Sequence, residues 1–173
     1  IDSATNDAIA DMELFPDGRV LVGFASGDIQ IYSSNLSSRS YDAEPVTMDT
    51  LNAVAPASNS SFYISGRVSA AIPVGQIPAV NIGPDAVFAG GSEGVIIRYS
   101  NATTTPTPDW ATYVGGNGAE YFTAIMLTPN GSNLVFTTNS AGGAAFPALV
   151  NAVDAAIAGT ELLVGVLPEQ ATV

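Results

Sequence analysis

The stretch FPDGRVLVGFASGDIQIYS, Phe15 to Ser33, decides the fold class of this chain. Pro16 presets its φ for the first central place of a turn, and Asp17 and Gly18 accept the geometry that follows. Val20–Phe24 is then an apolar run and Ala25-Ser26-Gly27 a second turn. Asp28–Ser33 alternates, which puts Ile29 and Ile31 on one side of an extended segment. With Asp11–Phe15 before it, the stretch reads strand, turn, strand, turn, strand.

The unit recurs. Pro84 to Ser100 reads PDAVFAGGSEGVIIRYS, and at an offset of 67 residues Gly27, Ile29, Tyr32 and Ser33 match Gly94, Ile96, Tyr99 and Ser100. Met126 to Gly143, MLTPNGSNLVFTTNSAGG, aligns Pro129-Asn130-Gly131 with Pro16-Asp17-Gly18 and Leu134-Val135 with Leu21-Val22. A weaker copy runs from Leu51 to Val74, where Pro56 and Asn59-Ser60 precede Phe62-Tyr63-Ile64. The intervals, near 40, 28 and 45 residues, lie in the range of sheet-forming repeats. Further strands are predicted at 62–66, 68–74, 86–90, 95–99, 109–114, 121–127 and 133–138, with another after Thr160. Thr103–Pro108, TTTPTP, reads as a stiff connector.

One segment breaks the pattern. Phe146 to Gly159, FPALVNAVDAAIAG, has Pro near its start, Gly at its end, and Leu149, Val153, Ala156 and Ile157 on one helical face. The expected fold is therefore a single all-β domain over residues 1–173. It is an antiparallel meander of three to four blade-like repeats, propeller-like or a β-sandwich, with one short helix near 147–158. Residues 1–9 are expected to form an extended N-terminal arm.

The units FPDGRVLVGFASGDIQIYS and GPDAVFAGGSEGVIIRYS resemble blades of β-propellers of the WD40 or quinoprotein-like kind, over rather more than half of the chain. The resemblance implies blade-like sheets and a binding module that recognises a protein or a glycan. No Gly-His pair and no Trp-Asp dipeptide accompanies these units, and the sole Trp, Trp110, follows Asp109 instead.

Composition narrows the function by exclusion. The chain is 47% hydrophobic and 12% charged, with 16 acids against four bases and a net charge of −12. All four bases are Arg (Arg19, Arg39, Arg67, Arg98), and there is no Lys. Nucleic acid and anionic membrane surfaces need clustered cations, so neither is an expected partner. No apolar run is long enough to span a bilayer as a helix. Without Cys or His, thiol nucleophiles, imidazole catalysis, disulfides and ordinary zinc or haem ligation are all absent.

The remaining candidates for catalysis are carboxylates: Glu13, Asp17, Asp28, Asp85, Glu93, Asp109 and Glu120. A pair of these would suit glycoside hydrolysis. Most of them sit at predicted turns, where Asp bonds its own backbone, and no enzymatic activity is expected. No cofactor is expected either. Calcium is the one ion that oxygen ligands here could hold, and Asp2, Asn6, Asp7 and Asp11 lie close together, yet without the spacing of a calcium loop. The Gly-rich GGSEG and GGNGAE segments read as hairpin turns. Phe62, Tyr63, Tyr99, Trp110, Tyr113, Tyr121 and Phe122 read as core or cross-strand residues rather than a sugar-binding face.

Four Asn-x-Ser/Thr sequons, at Asn35, Asn59, Asn101 and Asn130, fall in polar, turn-like stretches and are candidate sites for N-linked glycans. The chain opens at Ile1 without an apolar leader, which reads as a processed export product or a partial sequence. Together these features look like a secreted structural subunit of a filament or surface layer, with copies of itself as partner. Its terminal segments, DAIADMELF and TELLVGVLPEQATV, would serve as exchanged strands.

Overall fold

The computed structural model describes residues 8–43, 46–73, 76–77, 88, 90–115, 119–140 and 161–168. They contain eleven strands: β1 (Ile9–Leu14), β2 (Val20–Phe24), β3 (Ile29–Tyr32), β4 (Arg39–Ala43), β5 (Thr50–Ser58), β6 (Ser61–Val68), β7 (Glu93–Ser100), β8 (Thr107–Val114), β9 (Glu120–Leu127), β10 (Asn133–Ser140) and β11 (Glu161–Pro168). Within each sheet, consecutive strands are neighbours. Sheet 1 is β1-β2-β3-β4, sheet 2 is β5-β6-β7-β8 and sheet 3 is β9-β10-β11, every pairing antiparallel. The fold is all-β. No helix occurs among the described residues, and the one expected near 147–158 lies outside them.

The quoted turn is a construction element. Gly18 N–H bonds Phe15 C=O at 2.9 Å, Phe15 N–H bonds Arg19 C=O at 2.8 Å, and Gly18 sits at φ +85. The Pro129 copy repeats it: Gly131 N–H bonds Thr128 C=O at 2.7 Å with φ +69. Asp17 Oδ1 accepts the Arg19 N–H at 3.1 Å, and Asn130 Oδ1 the Ser132 N–H at 3.2 Å. Both copies close the first hairpin of their sheet. The copies at Leu51 and Pro84 belong together: the first is β5–β6, and the second supplies β7 of the same sheet 2.

Some expected strands are revised. The separate strand expected at 68–74 is not found: β6 runs on to Val68 and residues 69–73 lie in no strand, because Pro73 has no N–H to give a ladder and Ile72 donates its own to Tyr113 Oη at 2.8 Å. Phe88 and Gly90, from the strand expected at 86–90, lie in no strand, and the rest of it is outside the described residues. Thr107 and Pro108, read as connector, open β8. Pro108 stands beside a bulge opposite Tyr99, a place where a missing N–H is tolerated. β4 answers to no expected strand, and β5 falls within the weaker copy from Leu51, for which no separate first strand is predicted.

The three sheets stack face to face with sheet 2 in the middle. Leu21, Ile29 and Ile31 of sheet 1 pack with Leu51, Val54, Phe62, Ile64 and Val95 of sheet 2. On its other side, Ala53, Ala55, Tyr63, Ile96 and Trp110 meet Phe122, Ile125, Leu134, Phe136 and Leu167 of sheet 3. β5 lies against β1 and β2, and β9 against β5, β6 and β7. Sheet 2 is buried on both faces, which is why apolar residues stand consecutively in SFYISGRV (Phe62-Tyr63-Ile64) and EGVIIRYS (Val95-Ile96-Ile97) rather than alternating. Phe62 stacks on Tyr99 at 5.0 Å between ring centroids, and Phe122 meets Phe136 edge-on at 5.3 Å. Gly23 sets the approach of sheets 1 and 2: a Cβ there would lie 2.6 Å from Leu51 Cδ2 and 2.7 Å from Val54 Cγ1.

Candidate functional site

β1 is the outermost strand of sheet 1, and a bulge shapes what it presents. Ile9 pairs with Phe24 and Asp11 with Gly23, so Ala10 is the extra residue. The bulge brings Ile9 and Met12, three apart, onto one face, with Leu14 following. These three side chains are 58%, 61% and 65% exposed. Val22 and Phe24 continue the face across β2, and Leu36 closes it from the β3–β4 turn at 64% exposed. The result is an apolar groove of about 750 Å³ with Glu13 as its one charged lining residue. Exposed apolar side chains gathered on one face, rather than scattered singly, are the kind of surface that interaction sites use.

The opposite side of β1 is tied down. Asp11 Oδ2 accepts the backbone N–H of Val54 at 2.9 Å, which satisfies a donor on the edge strand β5. Leu36 is held outward by backbone geometry, at φ +57, inside a turn organised by Asn35. The groove therefore rests on a fixed strand and a fixed turn.

All four sequon asparagines are exposed and lie in turns: Asn35 between β3 and β4, Asn59 between β5 and β6, Asn101 just after β7, and Asn130 between β9 and β10. Two share one arrangement. Asn35 Oδ1 accepts from Ser33 Oγ at 2.9 Å, Ser37 N–H at 3.0 Å and Ser37 Oγ at 2.6 Å. Asn130 Oδ1 accepts from Thr128 Oγ1 at 2.6 Å, Ser132 N–H at 3.2 Å and Ser132 Oγ at 2.8 Å. In both, the sequon hydroxyl sits on the amide oxygen, and the amide nitrogen takes no part. Asn101 differs, at φ +58, and its Nδ2 donates to Thr107 Oγ1 at 3.1 Å. Asn59 offers its backbone C=O to the Arg19 guanidinium, whose other arm bonds Ala102 C=O at 2.5 Å.

Of the described candidate acids, only Glu93 and Glu120 lie at adjacent places in the fold. Asp17 pairs with Arg19 at 2.9 Å; desolvation pushes its carboxyl up, but the Arg19 N–H and guanidinium outweigh this and hold it below the usual carboxylate range. Asp28 accepts from Ser26 Oγ at 2.9 Å, and Asp109 pairs with Arg98. Glu93 and Glu120 are both buried, Glu93 on the face of sheet 2 with Val95, Glu120 with Phe122 on the far side. Their backbones are adjacent all the same: Ser92 bridges Ala119, and the Glu120 N–H bonds Ser92 C=O at 3.0 Å. Glu13 lines the groove on β1, and Asp85 lies outside the described residues. Of the N-terminal oxygen ligands, Asp11 is engaged by Val54, while Asp2, Asn6 and Asp7 are outside the described residues. Among the described residues no three metal-ligating side chains come together.

Six of the seven candidate aromatic residues are core, and the side chain of the seventh, Tyr121, lies outside those described. Phe62, Tyr63, Tyr99, Trp110, Tyr113 and Phe122 are all buried. Burial, with a contribution from Tyr41, raises the Tyr99 phenol far above its ordinary value. Tyr113 is also raised by burial, against the Ile72 N–H and with the Glu93 charge. No helix among the described residues is long and apolar enough to cross a membrane. In comparison with known proteins, the chain matches no protein-family model and no curated protein.

As sequence, DAIADMELF reads as an exchanged strand, and the groove does not show in it. Simple alternation places Ile9 and Met12 on opposite faces, and only the bulge at Ala10 unites them. The signal that was present is the spacing: apolar residues three and then two apart.

Proposed function

We propose that the chain is a secreted structural protein, without enzymatic activity, that assembles with copies of itself through its β-sheets into an extracellular filament or surface layer. The observation that carries this reading is the open apolar face of sheet 1 on a chain of net charge −12. Like charge of that size keeps copies apart, so association rests on burying apolar surface. Strand pairing is the second route. Sheets 1 and 3 end in β1 and β11, and an outermost strand is a template for a neighbour's strand. The exposed sequon turns support an extracellular place, with N-linked glycans at Asn35, Asn59, Asn101 and Asn130.

Size-exclusion chromatography with electron microscopy of the purified chain tests the reading. Filaments or sheets that grow with concentration are expected. A monodisperse monomer across salt and pH would sink it. Intact mass of protein from its native source tests the glycans, with Asn35 and Asn130 occupied ahead of Asn101, whose amide nitrogen is already bonded; a bare mass removes the claim.

One observation favours a second reading. The contacts between sheets gather on their first strands, β1 with β5 and β5 with β9, as blades of a propeller gather about an axis. On that reading the chain is a propeller-like binding module, whole or part, that recognises a protein or a glycan. It yields a discrete complex of fixed size rather than an open polymer, which the same micrographs distinguish.

A further inference from the structure

The first strands of the three sheets are built alike. Each carries a bulge after its first face residue: Ala10 between Ile9 and Asp11, Asn52 between Leu51 and Ala53, Thr123 between Phe122 and Ala124. Each therefore turns the same positions toward the sheet that precedes it in the stack. In β5 these are Leu51 and Val54, set against sheet 1; in β9 they are Phe122 and Ile125, set against sheet 2. All four are no more than 7% exposed. The same positions of β1 are Ile9 and Met12, followed by Leu14 as Phe122 and Ile125 are followed by Leu127. The equivalence continues on the second strand, where Val22 opposite Met12 corresponds to Phe136 opposite Ile125. The exposed face of sheet 1 is thus the face that sheets 2 and 3 use for docking, without a sheet beneath it among the described residues.

The other end of the stack is its complement. Leu21 and Gly23 of sheet 1 lie under the incoming β5. By the same register, Val135 and Thr137 of sheet 3 occupy those positions, opposite Met126 and Ala124 on β9 and Val166 and Val164 on β11. This face points away from sheet 2, and Met126 on it is 60% exposed.

We infer that the outer face of sheet 1 docks on the outer face of sheet 3 of a second copy, continuing head to tail the sheet-on-sheet contact that already occurs twice inside the chain. The occupant of the groove is therefore β9–β11 of the neighbour, approached by β1 as sheet 1 is approached by β5. Two different faces meet, so the contact is heterologous: each added copy leaves one face of each kind open, and the assembly grows as a filament unless the rotation per copy closes it into a ring. Thr137, with Thr123 bonded to it at 2.6 Å, stands where Gly23 permits close approach inside the chain. The intermolecular contact is accordingly looser than the internal ones. This inference rests on the self-association reading and moves the contact from strand edges to sheet faces.

The chain has no cysteine, so engineered thiols report unambiguously. Met12→Cys and Met126→Cys are prepared singly, mixed, and treated with a short bis-maleimide. Cross-linked product joining one of each is expected, with little joining two of the same kind. Products of two Met12→Cys chains would overturn the head-to-tail arrangement. Met12→Cys that resists a monofunctional maleimide in dilute monomer would show that the chain's own residues cover the groove, and would overturn it too. In parallel, the double variant Met12→Asp, Leu14→Asp is expected to raise the concentration needed for assembly by roughly a hundredfold, as two apolar side chains lose their burial, with its thermal unfolding unchanged. If the wild-type chain assembles and this variant assembles equally well, the face assignment fails while self-association stands. If the wild-type chain stays monomeric at every concentration, both fail.

Discussion

In sheet 3, Phe122 and Ile125 lie beneath sheet 2; in sheet 1, Ile9 and Met12 hold the same places and lie open to solvent. The two regions share a bulge, a Pro-x-Gly hairpin turn and an apolar pattern, so local sequence does not separate them. What separates them, among the described residues, is the presence of a preceding sheet. The difference teaches that the apolar character of β1 belongs to the repeat, and that the exposure of β1 belongs to its position at the end of the stack. A face built for docking and left undocked is the physical content of the proposed self-association.

The comparison can be broken at several levels. The largest effect is expected from Phe122→Ala, which removes a ring packed against Phe136 and costs about 3–5 kcal/mol of stability; denaturant melts measure it. A loss below about 1 kcal/mol would mean that sheet 3 is not truly docked, and the contrast with sheet 1 would vanish. Gly23→Ala comes next. Its Cβ would meet Leu51 and Val54 at under-contact distance, so a loss of roughly 1–3 kcal/mol follows from overpacking. Ile9→Ala, the counterpart of Phe122→Ala, should move the melting of dilute monomer by no more than about 0.5 kcal/mol. A larger loss would show that β1 is already covered.

The smallest effect concerns the turn that opens the repeat. Asp17 has its carboxyl held below the ordinary value of 3.8 by Arg19, so its stabilisation is fully present above that pH and lost as pH falls through the lowered value. Asp17→Asn keeps the turn, since Asn130 does the same work in sheet 3. It should flatten the acid limb of the stability curve slightly and leave neutral stability nearly unchanged. At the alkaline end, the raised Tyr99 and Tyr113 work oppositely. The unfolded chain ionises near 10.0 while the folded core resists, so stability declines as pH rises beyond that value.

The parts of this fold that were legible in the sequence are those where local chemistry acts alone. The Pro16-Asp17-Gly18 turn, the alternation of Ile29 and Ile31, and the recurrence at Pro129 all follow from backbone preference and one solvated face. β4 was hidden because RSYDA is polar, and it is a strand only through its ladder to β3. β5 was hidden by Pro56 and by burial on both sides, which erases alternation. The two copies at Leu51 and Pro84 looked like separate repeats because spacing along the chain does not reveal that β6 and β7 pair. The candidate face was the least legible feature. It depends on a bulge at Ala10 that shifts the phase of β1 by one residue.

Methionine oxidation tests the central claim most directly, because the chain has only three methionines and they divide cleanly. Met12 and Met126 are exposed on the two outer faces, while Met48 is buried in the core between sheets 1 and 2. Under dilute hydrogen peroxide, read by peptide mass spectrometry, Met12 and Met126 of the monomer should oxidise fast and Met48 slowly. In the assembled state all three should be slow. Assemblies in which Met12 and Met126 oxidise as fast as in the monomer would contradict the account.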